Sequence, residues 1–125
     1  MKKIKKIAAS IMAVAAMATS MVGISASAAV GSKDFCASYA HVFNTSGSDY
    51  NRLVQVSSQV YRKSTGVYQT VLSDSVVGPS GAVASVSHDS YPISSFKFYC
   101  QGSVYNGDYS GTGAAWSATP QWILS

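Results

Sequence analysis

His88-Asp89 is the one pair in this chain with the residue types of acid–base catalysis, an imidazole to take a proton and a carboxylate to orient it. Adjacent residues of an extended chain point to opposite sides, so the two cannot hydrogen-bond each other. The pair reads as an exposed polar loop ahead of Tyr91-Pro92. His41 lies in an apolar stripe and reads as a half-buried, hydrogen-bonded histidine. No CxxC or HExxH spacing marks zinc, no D-x-D-x-D loop marks calcium, and no G-x-S-x-G elbow presents a nucleophile. Gly78-Pro79-Ser80-Gly81 is a turn signal. With no glutamate and five scattered aspartates, the paired carboxylates of a glycosidase are not indicated. The expectation is a protein that is not an enzyme, with no catalytic residue, metal ligand or cofactor; a hydrolase is the least favoured alternative. Asn44-Thr45-Ser46 fits the glycosylation sequon, a match too short to carry weight.

Two features remain that could act. Cys36 and Cys100 are the only cysteines. An even count in an exported chain predicts a disulfide, contributing ~4 kcal/mol for a loop of this length if the Cα atoms approach to about 4.4–6.8 Å. The second feature is aromatic. Tyr99, Tyr105, Tyr109 and Trp116 gather on one stretch, among Ser and Asn, and offer contact area at low entropy cost. They are the expected binding surface, for a cell-wall, glycan or protein partner.

The elements that must position these residues are strands. Met1 to Ala28 has the form of a secretory signal: Lys2, Lys3, Lys5 and Lys6, then an apolar run from Ile7 to Ile24, then Ala26-Ser27-Ala28 as an A-x-A cleavage site. The rest, 29–125, fits one small domain. Removing those four lysines from the nine Lys and Arg leaves five, against five Asp, so this part is neutral. That argues against nucleic acid and anionic membranes as partners. The expected location is outside the cell or at its surface, with no membrane association once the signal is cleaved; the oligomeric state is left open.

Ser, Thr, Val, Tyr and Gly dominate, which favours strands and turns. Expected strands run over Phe35 to Phe43, Arg52 to Arg62, Val67 to Asp74 and Ala82 to Ser87. Lys63-Ser64-Thr65-Gly66 joins the second to the third. A hairpin then runs from Ile93 to Trp116, with Phe96, Phe98 and Cys100 on one face and Asn106-Gly107 as a type I′ turn. Trp122, Ile123 and Leu124 are apolar enough to dock or to add an edge strand. The fold class expected is all-β: a small antiparallel sandwich or barrel of about six to seven strands, preceded by a signal-peptide helix.

Gly81 to Val86 and Ser95 to Tyr99 resemble two strands of the small exported bacteriocins of the lactococcin 972 type. That resemblance implies a short Ser/Tyr-rich β-protein directed at cell-wall synthesis in a Gram-positive setting. The cysteine pair departs from the family pattern. The function expected from the residues is an extracellular binding domain, and the resemblance adds a bacteriocin as the alternative.

Overall fold

The computed structural model describes residues 29–125; the leader read over residues 1–28 lies outside the described residues. The described residues are all-β, in eight strands: β1 (Gly31–Phe35), β2 (Tyr39–Asn44), β3 (Arg52–Arg62), β4 (Tyr68–Gly78), β5 (Val83–Ser87), β6 (Phe96–Tyr105), β7 (Ala114–Ser117) and β8 (Gln121–Ile123). They form two antiparallel sheets. The smaller has the order β1-β2-β5; the larger runs β4-β3-β6, with β7 and β8 both paired to β6.

Alternation decides which side chains lie between the sheets. From β3 come Val54, Val56, Ser58 and Val60, and from β6 Phe98, Cys100 and Val104. The smaller sheet answers with Phe35, Ala40, Val42, Ala84 and Val86. Backbones come close at Gly102, where a Cβ would stand 2.6 Å from the Gln55 carbonyl oxygen and closer still to Val42. Ala40 of β2 and Ala84 of β5 are fully buried between the sheets.

Three expectations need correction. Phe35 to Phe43 is not one strand. Cys36 N–H donates to Tyr39 O (2.9 Å), closing a two-residue turn at Ala37-Ser38, and the chain folds back as β1 and β2. The turn reverses parity, so Phe35 shares its face with Ala40 and not with Tyr39. The count is therefore eight strands, where six to seven were expected.

Asn106-Gly107 is not a two-residue turn. A loop over 106–113 joins β6 to β7, with one 3-10 turn at Ser110–Thr112. The glycine that takes positive φ there is Gly113 (φ 84°). Asn106 closes the loop from its side chain, Nδ2 donating to the carbonyls of Thr112 and Gly113 (both 3.1 Å).

The third correction concerns the cysteines, which are not at disulfide distance: both are free thiols. Cys36 starts the β1–β2 turn, whereas Cys100 points inward from the middle of β6, opposite Ser58. His88 stands between them, bonded on one side to the Cys36 carbonyl and on the other to Ser58.

Other expectations hold. The β3–β4 connection turns at Gly66 (φ 75°), whose N–H donates to Arg62 O (2.8 Å). The apolar tail becomes β8, with Phe98 opposite Ile123 and Tyr99 opposite Trp122. Asn44, the first residue of the sequon, is buried, with its amide donating to Gly78 O and its Oδ1 accepting from Ser46 N–H.

Candidate functional site

The outward face of the larger sheet is built from the odd positions of β3 and β6. Register places Tyr61 opposite Lys97, Gln59 opposite Tyr99, Ser57 opposite Gln101 and Gln55 opposite Ser103. β4 extends these rows with Tyr68, Val71, Ser73 and Ser75. β8 brings Trp122 beside Tyr99.

The rings meet at one end of this face. Trp122 lies 4.9 Å from Tyr99 and 5.2 Å from Tyr61 between ring centroids, and Tyr61 lies 5.6 Å from Tyr68 edge-on. The Lys97 ammonium stands over the Trp122 ring at 5.1 Å. Tyr68 and Trp122 are each about half exposed, at 50% and 44%. Toward the other end the face is amide and hydroxyl: Tyr61 donates to Gln59 Oε1 (2.8 Å), Gln55 Nε2 donates to Ser75 Oγ (3.3 Å), and the Ser103 and Ser117 hydroxyls are paired (2.9 Å). None of the outward positions on these strands is acidic. The one acid of β4, Asp74, lies opposite Val56 in the inward row and accepts from Ser85 N–H (3.0 Å).

The aromatics picked out from sequence separate. Tyr99 belongs to this face. Trp116 does not: it opposes Val104, packs on the core, and fills the space beside Gly31, where a Cβ would be 2.6 Å from a ring carbon. Tyr105 is buried, its hydroxyl held by Gln55 Oε1 (2.9 Å), and burial raises its pKa above the usual phenol range. Tyr109 is exposed in the 106–113 loop. Tyr61, Tyr68 and Trp122 were not singled out as binding residues. The available signal was parity: Tyr61 and Tyr99 each sit out of phase with the buried residues of their strands.

A second cluster lies inside. His88 was read as part of an exposed loop and is in fact buried, stacked on Phe98 at 3.8 Å with the rings 9° from parallel. Its Nδ1 faces the Cys36 carbonyl (3.1 Å), which can only accept, so Nδ1 carries the proton. Nε2 then accepts from Ser58 Oγ (2.8 Å), leaving Ser58 to accept from the Cys100 thiol (3.4 Å). Burial pushes the His88 pKa below, and the Cys100 pKa above, the ordinary value. These residue types resemble a catalytic relay, but Ser58, Cys100 and His88 are closed to solvent, so their role is to satisfy polar groups in the core. His41 is half-buried and held by rings, stacked on Tyr39 (4.1 Å) with Phe43 edge-on (5.9 Å). Among the described residues no group of three or more His, Cys, Asp or Glu could hold a metal.

No family model, no curated protein and no solved structure matches this chain.

Proposed function

We propose that the chain is an exported glycan-binding domain that works through the outward face of its larger sheet. The observation that carries this reading is the contiguous ring patch of Tyr61, Tyr68, Tyr99 and Trp122, set against rows of Gln and Ser. A sugar presents an apolar ring face and a polar rim. Aromatic side chains cover the first at low entropy cost, and amides and hydroxyls bond the second. The leader-like residues 1–28 and the neutral remainder are consistent with action outside the cell.

Titration of intrinsic fluorescence with oligosaccharides tests the proposal. A bound sugar should change Trp122 emission, and Trp122→Ala should weaken binding about tenfold, the worth of ~1.4 kcal/mol of stacking. Its thermal melt should match that of the unaltered protein. Equal binding by Trp122→Ala and Tyr99→Ala would sink the assignment to this face.

A further inference from the structure

The cations of the described chain are unevenly placed. Lys97 stands in the ring patch itself. Immediately beyond, at the end of the sheet, a cleft of about 270 Å³ is lined by Arg62, Lys63, Ser64, Ser94 and Ser95. The cleft lies just past the patch along both strands: Tyr61 and Lys97 are register partners on the outward face, Arg62 and Phe96 are the next pair and belong to the inward row, and Lys63 N–H donates to Ser95 O (2.8 Å). Arg62 is held with its guanidinium over the Phe96 ring at 5.0 Å, and Lys63 Nζ donates to Leu124 O (2.9 Å). Both contacts leave donors to spare, since a guanidinium has five N–H groups and an ammonium three. Of the acids, Asp34 takes the Tyr39 hydroxyl on the other sheet, Asp74 faces inward, Asp49 and Asp108 are in other loops, and Asp89 is in the connection that also carries Ser94 and Ser95. Three of the five cations of 29–125 therefore collect at one end of the larger sheet, Lys97 on its outward face and Arg62 and Lys63 at its rim.

Resting on the glycan-binding reading, we propose that the ligand is an acidic polysaccharide bearing carboxylates on its sugar rings, a hexuronate polymer, with the Arg62–Lys63 cleft and Lys97 receiving successive carboxylates. Charge complementarity sets the sign. The interleaving favours the class: Lys97 lies within the ring patch, so a sugar seated among the exposed rings of Tyr68 and Trp122 meets the cation at its own ring, where a uronate carries its charge. A chain of phosphodiesters places its charges between sugars. Arg62 supplies the planar pair of donors that matches a carboxylate, and the serine hydroxyls of the cleft supply further bonds.

The test uses the protein purified from its producing cells. Trp122 fluorescence is titrated with oligogalacturonate, with chitohexaose as the neutral probe and with poly(glycerol phosphate) as the phosphate probe. Oligogalacturonate should bind tightest, and its affinity should fall between about 0.01 M and about 1 M salt, where the screening length drops from ~30 to ~3 Å. Arg62→Ala with Lys63→Ala should lose about tenfold toward oligogalacturonate. The same variant should bind chitohexaose as before. Trp122→Ala should lose every sugar. Equal, salt-independent affinity for oligogalacturonate and chitohexaose would refute the acidic ligand and leave the glycan reading standing, as would preference for poly(glycerol phosphate). Binding of none of the three would refute both.

Discussion

Ser58 and Cys100 face each other across the β3–β6 ladder, Oγ to Sγ 3.4 Å, and the same Ser58 hydroxyl is 2.8 Å from His88 Nε2. One hydroxyl thus satisfies a thiol from β6 and an imidazole from the loop after β5, in a place where neither meets water. This relation replaces the covalent tie that the two cysteines led one to expect.

Ser58→Ala is therefore expected to cost about 1–3 kcal/mol, the penalty for leaving a buried imidazole nitrogen without its donor. Urea denaturation measures it. A change within a few tenths of a kcal/mol would show that His88 finds another partner.

Stability should also depend on pH through His88. Burial holds its folded pKa below the ordinary value near 6.5, so the unfolded chain binds the proton more readily. The contribution is complete above pH ~6.5 and is lost as pH falls through that value toward the depressed folded pKa. Unfolding midpoints in urea at a series of pH values should fall on acidification over that range. His88→Phe, which keeps the stacking on Phe98, should flatten that part of the profile.

The thiols should differ in reactivity. Cys36 is half-buried at a turn, whereas Cys100 is fully enclosed and its thiolate is disfavoured by burial. Alkylation of the native protein is expected to label Cys36 alone, and both after denaturant. Reductant should leave the melting temperature where it was. A native protein that resists all labelling until reduced would contradict the free-thiol structure.

The two tryptophans should separate cleanly. Trp116→Ala removes the packing of a partly buried ring against Gly31 and Val104 and should cost about 2 kcal/mol, below the ~3–5 kcal/mol of a fully buried aromatic. Trp122→Ala, on a half-exposed ring, should cost far less. Similar losses for both would mean that the outward patch is a structural seal.

Much of the fold was legible because the strands alternate. Arg52 to Arg62 reads as a strand with Val54, Val56 and Val60 in phase, and all three are among its buried positions. Phe98 and Cys100 likewise read correctly as one face. The errors came where a short-range signal outvoted a long-range one. The run from Phe35 to Phe43 alternates without a break, and only the pairing of Cys36 with Tyr39 shows a turn inside it. Asn106-Gly107 carries the composition of a tight turn, yet Asn106 spends its side chain closing a longer loop on Gly113. The candidate site was half visible. Tyr99 could be picked from its neighbours, but Trp122 reaches it only because the tail returns to pair with β6, a contact that no local pattern encodes.

The position of β6 sets the order in which the molecule can be made. It is sixth along the chain, yet it pairs with β3, β7 and β8 and lies at the middle of the larger sheet. A growing chain that ends before Phe96 has β3 with only β4 beside it in the larger sheet, and Val54, Val56 and Val60 lack their lateral neighbours Val104, Gly102 and Phe98. Such a fragment lacks Phe98, Cys100, Val104 and Ile123 from the core, and the missing β3–β6 pairings are the distant kind that form slowly. The larger sheet is therefore completed only when this late strand arrives, and with it the seat of both β7 and β8.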